Sequence, residues 1–181
     1  MSNLIDDTYF ILDANIPNAG EELSTADEMT TRYERVILTE VLGATLYNLM
    51  IASPTDAIYK RIIEPNTYEV EYMGETHKVY WNGLTNTNKV SLIAYYVYVK
   101  WVSNRVTMTV TTGEIKPVSE NSEQAPVSAK ISYAWRLMSD LIGSPYGQLI
   151  DPTLYNLLTF YKDDYPTWLF EDVGRVNSWD L

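Results

Sequence analysis

Residues 86–104, NTNKVSLIAYYVYVKWVSN, decide how the chain folds. Val90, Leu92, Ile93, Tyr95, Tyr96, Val97, Val99, Trp101 and Val102 fall on every side of a helix drawn through this stretch. A helix without a polar face has to be covered on most sides, so it forms the centre of its domain. Its β-branched residues leave a strand as the competing assignment. The apolar run 92–99, LIAYYVYV, lies between Lys89 and Lys100. It is far short of the ~20 residues that a membrane span requires.

Helical spacing extends outward on both sides. Ser24 with Asp27, or Thr25 with Glu28, makes a capping box at the start of a long helix. Met29, Tyr33, Val36, Ile37 and Val41 form the apolar stripe of that helix, which Glu40 interrupts and Gly43 stops. Short helices are expected over 44–52 and 56–64, each ending before a proline. Further on, a helix over 128–141 aligns Ile131, Ala134, Trp135, Met138 and Leu141. A last one over 152–161 takes Asp151 as N-cap and Pro152 as its first residue.

Two stretches alternate instead. Tyr68, Val70 and Tyr72 alternate with Glu69 and Glu71, and the pattern resumes after Gly74 with His77, Val79 and Trp81, which is a β-hairpin signal over 67–81. Residues 106–112 also alternate, and would make a strand if they found a partner before Gly113. Residues 117–127 read as a polar loop. The expected organisation is therefore an extended segment over 1–23, a helical body over 24–162, and a tail over 163–181.

Charge follows the same division. The 181 residues hold 13 Lys+Arg against 24 Asp+Glu, a formal charge of −11. Residues 1–30 carry seven acids and no Lys or Arg, while 151–181 carry six acids and two bases, so the middle is neutral. An acid excess argues against a nucleic-acid coat, because phosphate binding needs a basic surface. With 46% hydrophobic residues the chain is not disordered.

Composition and motifs exclude several chemistries. Cysteine is absent, which removes disulfides, thiolate metal sites and a Cys nucleophile. His77 is the only histidine and fits a sheet residue better than a catalytic base. Phosphate-loop, dinucleotide, nucleophile-elbow, zincin and EF-hand patterns do not occur. Asp6-Asp7, Asp163-Asp164 and Glu171-Asp172 are acidic pairs of the kind that usually stand as solvated charge. No catalytic, cofactor or metal residue is expected. The N-terminus has neither the basic nor the apolar region of a signal peptide, so a soluble protein made in a cytoplasm is expected. Fifteen tyrosines and five tryptophans against three phenylalanines suit surfaces that meet other chains. The tail keeps Tyr165, Trp168, Phe170 and Trp179, and is expected to pack either on its own body or into a neighbouring chain, with the neighbour slightly favoured. On that expectation, removing 163–181 weakens assembly and leaves the body folded.

Four stretches resemble the head–tail connector (adaptor) proteins of tailed phages, particularly those of phages infecting Bacteroidetes. They are RYERVILTEVLGATLYNLM at 32–50, Trp81-Asn82-Gly83-Leu84, IAYYVYVKWVSNRVTMTVTTGEIKP at 93–117 and ISYAWRLM at 131–138. Together they span a little over half the chain, and none is a catalytic signature. The resemblance implies a mainly α protein, a helical adaptor-like bundle around a buried Tyr-rich helix with a β-hairpin insertion and extended acidic termini. It implies a non-enzymatic virion protein at the head–tail junction, assembled in the host cytoplasm. It implies further a homo-oligomeric ring of about twelve copies that meets the portal protein and a downstream tail protein. DNA would pass through the ring without sequence-specific binding, and no cofactor or membrane would be involved.

The acidic N-terminal segment and the tail fall outside the matching stretches, so no role is carried over to them from the resemblance, and their expected roles rest on the physical reading alone. Asp6, Asp7, Asp13, Glu21 and Glu22 are candidate channel-lining or surface acids, which would repel phosphate so that DNA slides. Tyr165, Trp168, Phe170 and Trp179, with Tyr72 and Met73 of the hairpin, are candidate contacts to other subunits or partners. Two other readings stand beside this one: a monomeric binding module, and a small carboxylate-dependent hydrolase.

Overall fold

The computed structural model describes residues 3–16, 21–106, 108–110, 113–115 and 127–170. The protein is mainly helical with a two-stranded antiparallel hairpin. Its elements run α1 (Glu21–Leu42), α2 (Ala44–Ala52), α3 (Ala57–Ile63), β1 (Asn66–Tyr72), β2 (Glu75–Trp81), α4 (Leu92–Val106), β3 (Met108–Val110), β4 (Gly113–Ile115), α5 (Val127–Ile142) and α6 (Leu154–Phe160). Short 3-10 turns at Asp7–Tyr9 and Leu12–Ala14 precede them.

Helix α4 is the centre. Every residue from Leu92 to Val99 is buried, with Ile93, Val97 and Val99 wholly inaccessible. Three elements share the covering: α1 on one side, α5 on another, and the N-terminal turn at Leu12–Ala14 on a third. The tyrosines of α4 fill the seams between them. Tyr96 meets Tyr33 of α1 edge-on at 6.1 Å and Trp135 of α5 at 6.5 Å. An apolar helix has to be enclosed in this way, and the short peripheral elements are the ones that close the gaps.

Helix α4 starts later than its sequence pattern suggests, at Leu92 instead of near residue 86. Asn86 brackets Val90, donating through Nδ2 to its carbonyl at 2.7 Å and accepting its amide at 3.2 Å. Ser91 then accepts the Ile93 amide and opens the helix. Side chains of Asn and Ser that bond the nearby backbone compete with helix and delay it. A similar shift affects α6, where Thr153, accepting the Asn156 amide, is the N-cap in place of Asp151. At the other end of the chain, α1 begins at Glu21, so Ser24 and Thr25 lie inside the helix and not at its cap. Asp56 does cap α3, accepting from Ile58.

The stripe that α1 buries also differs from the expected one. Thr30, Glu34, Ile37, Leu38, Val41 and Leu42 are buried, whereas Val36 is exposed and Met29, Tyr33 and Glu40 are only half-buried. The buried stripe is rotated by about one residue because the N-terminal segment covers the face that holds Thr30 and Glu34. That segment, residues 3–16, is not extended chain but a strap with two tight turns, and it buries Ile5, Tyr9, Phe10, Ala14 and Ile16.

The hairpin pairs Asn66 with Trp81, Tyr68 with Val79, Val70 with His77 and Tyr72 with Glu75. Only its base is anchored. Trp81 is enclosed and donates through Nε1 to the Ile62 carbonyl at 3.0 Å, and Tyr68 stacks against Phe160 and Tyr161. Of residues 106–112, Val106 ends α4 and Met108–Val110 pairs with Gly113–Ile115, so Gly113 opens a second strand. The expected loop over 117–127 lies almost wholly outside the described residues.

Two glycines, Gly43 and Gly83, are fixed by contact. Gly83 has φ +80°, and a Cβ there would meet the backbone at Glu64 and Pro65 at 2.6 and 2.7 Å. This close approach lets Leu84 and Thr85 donate to the Ile62 and Ile63 carbonyls, closing the end of α3. Gly43, at φ +79°, turns α1 into α2 and lies against Leu169 of the tail, 3.2 Å from where a Cβ would stand. Gly83→Ala should therefore destabilise the fold by at least about 3 kcal/mol, since both the conformation and the space are missing. Urea unfolding of the two proteins measures this, and an unchanged midpoint would show that the α3–β2 junction is not packed as described.

Candidate functional site: the exposed surface and the segments that close it

No helix among the described residues is long and apolar enough to cross a membrane. Among them, no group of three His, Cys, Asp or Glu side chains is placed to hold a metal ion. His77 sits half-buried in β2, facing Val70 across the hairpin with its ring 6.1 Å from that of Tyr72. The prominent groove is an open one of about 670 Å³ between α5, the start of α4 and the 143–153 loop. Asp140 and Asp151 line it. Asp151 is already engaged, accepting the Gln148 amide at 2.9 Å, and Asn156 donates to the Gln148 and Asp151 carbonyls. These groups hold the loop in place.

The hairpin tip is the most exposed apolar feature. Met73 is 87% exposed and has φ +53°, in a two-residue turn with Gly74. A left-handed backbone at a non-glycine residue costs roughly 1 kcal/mol, so the turn holds a strained methionine in solvent. Tyr72, half-buried, lies next to it on the same face as Val70 and His77, while Glu69, Glu71 and Lys78 occupy the other face. Beyond Tyr68 and Val79 the Glu69 face of the hairpin is in solvent, and the other is half-buried, with Val70 still packed against the core, a marginal arrangement for two strands.

The aromatic tail lies on its own body. Tyr165 is 2% exposed, donates to the Ile58 carbonyl at 2.7 Å, and burial drives its phenol well above the ordinary range. Trp168 donates through Nε1 to the Val41 carbonyl at the end of α1, at 3.1 Å. Phe170 closes on Tyr155 and Trp168. Arg61 joins in, paired with Asp164 and lying 4.6 Å over the Tyr161 ring. Residues 163–170 thus pack on their own body, the first of the two placements expected for Tyr165, Trp168 and Phe170. The physical reason is local: the Val41 carbonyl at the C-terminal end of α1 needs a donor, which Trp168 supplies, while the buried Tyr165 hydroxyl is satisfied by the Ile58 carbonyl in the first turn of α3. Trp179, with Glu171 and Asp172, lies outside the described residues.

The expected acids divide between two elements. Asp6, Asp7 and Asp13 are exposed on the strap. Bonds from the Thr8 hydroxyl and amide hold the Asp6 carboxyl below its ordinary range. Asp13 lies near Tyr95 and Tyr98, where its charge adds to burial in raising both phenols. Glu21 and Glu22 open α1, and their side chains lie outside the described residues.

One acid escaped the sequence reading. Glu34 is 4% exposed and accepts backbone amides of the strap, Leu4 at 2.9 Å and Ile5 at 3.4 Å. Burial pushes its carboxyl up to about 7 against the opposing pull of those amides. The available signal was its spacing, since Thr30, Glu34, Ile37, Leu38 and Val41 form one continuous helical stripe.

No protein-family profile, curated protein or solved structure matches the chain.

Because the tail caps α1, Trp168→Phe should cost about 1–2 kcal/mol by leaving the Val41 carbonyl unpaired. Truncation after Lys162 should lower stability by more than that single change. Both are read from denaturant midpoints, and a truncated chain as stable as the intact one would restore the tail as a free arm.

Proposed function

We propose that the chain is a non-enzymatic structural protein of a phage virion, a head-to-tail connector that assembles as a ring under the portal and lines the DNA channel. The observation that carries this reading is the hairpin: an anchored base, a free distal half and an apolar tip at Met73. An exposed, strained methionine beside Tyr72 is suited to a pocket on another protein, where burial gains roughly 2 kcal/mol per large side chain. Tyr72 and Met73 therefore remain the proposed contacts, and the tail residues become supports of the body that presents them. The exposed acids of the strap suit a surface past which phosphate moves without sticking. The portal and a downstream tail protein are the proposed partners, and about twelve copies the proposed ring.

A monomeric binding module is the second reading. It is favoured by the tail, which completes the body from within one chain.

Light scattering and negative-stain imaging, alone and with portal protein, separate the two. The connector reading expects rings, free or on the portal. Met73→Asp should weaken that association at least tenfold while leaving the unfolding midpoint unchanged, because the side chain touches solvent only. A strict monomer with no affinity for portal or tail proteins contradicts the proposal.

A further inference from the structure

The strap and Glu34 form a device that the proposed function does not use. Residues 3–16 cross α1 and α4 and cover part of both helices. Their attachments are specific. Asn3 donates to Thr31 on α1, and the Leu4 and Ile5 amides converge on Glu34. Tyr9 accepts the Asn86 amide at 2.8 Å and donates to the Asn86 carbonyl at 3.1 Å, with the Lys89 ammonium 4.4 Å over its ring. Glu34 is enclosed by the strap itself, and no ion pair to a lysine or arginine is found for it among the described residues.

We propose that the N-terminal strap is a pH-responsive cover, held on α1 and α4 while Glu34 is protonated and released when Glu34 ionises. A carboxylate in this position is stripped of water and has only two backbone amides in exchange. Lifting the strap returns it to solvent. The titratable neighbours do not relieve it. Tyr47 faces it from α2, where the Glu34 charge helps to raise the phenol, and Arg35 on α1 acts on that same tyrosine. On the strap, Asp6 is engaged by Thr8 and by the charge of Lys89.

The sign follows from linkage. With the strap closed, the Glu34 carboxyl titrates at about 7, and an open strap restores the ordinary 4.5. The closed form therefore binds the extra proton between those values. Its advantage is full below 4.5 and is lost as pH rises through about 7. Opening exposes Ile5, Tyr9, Phe10, Ala14 and Ile16 together with the strip of α1 and α4 they cover, an apolar surface that is otherwise sealed.

Hydrogen exchange of the whole chain, corrected for intrinsic rates, tests this. Protection of the Leu4 and Ile5 amides should fall roughly fiftyfold from pH 5 to pH 7.5, with α4 amides unchanged. In Glu34→Gln, a neutral side chain of the same shape, that dependence should vanish. Equal strap protection at both pH values in the native chain, or an undiminished dependence in Glu34→Gln, overturns the proposal. Should the variant not fold, a carbon-13 titration of the native Glu34 carboxyl decides: a midpoint near 7 sustains the proposal, and one below 5 overturns it.

Discussion

The structure depends on one constraint: α4 has no face that water can wet. Leu92 through Val99 are buried without a break, and the chain has to supply a cover for each side. Two long amphipathic helices, α1 and α5, supply most of it. Neither encloses α4 completely, and a segment without regular structure closes the remaining strip. This explains why an acidic N-terminus, which looks like solvated chain, carries buried Ile5, Tyr9, Phe10, Ala14 and Ile16. Burying that much apolar surface is the dominant favourable term in folding, and the strap's ordering cost is offset by it.

A second consequence concerns helix ends. Packing helices around α4 leaves the carbonyls at the ends of α1 and α3 inside the protein, where each requires a donor. Trp168 serves Val41, and Trp81 with Leu84 serves Ile62, while Tyr165 satisfies its own buried hydroxyl on Ile58 in the first turn of α3. The abundance of Tyr and Trp over Phe acquires a physical meaning here. These residues fill space as phenylalanine does and also carry a donor to a carbonyl at the edge of the core. The aromatic richness that suggests assembly is therefore largely consumed by the body itself, and the hairpin is left as the proposed adhesive feature.

Long periodic features were legible in the sequence and short docking segments were not. The all-round apolar pattern of α4 and the alternation of Tyr68, Val70 and Tyr72 each express a local rule, and the structure follows them. Starts of helices were misplaced where a side chain competes with the backbone, as Asn86 and Thr153 do. Glu34 was hidden because α1 carries two overlapping stripes, and only the strap determines which one is buried. The tail was recognised as unsuited to solvent, but burial in a neighbour and burial on its own body require the same residues. Only tertiary structure distinguishes them.

Labour is thus divided between a body closed by its own termini and an exposed hairpin, the proposed binding element. A hydrogen-exchange difference map between the free chain and its complex with portal protein tests that division directly. It predicts new protection centred on the Tyr72–Glu75 turn and on His77, with residues 163–170 equally protected in both states. New protection over 163–170 with none at the hairpin would contradict it.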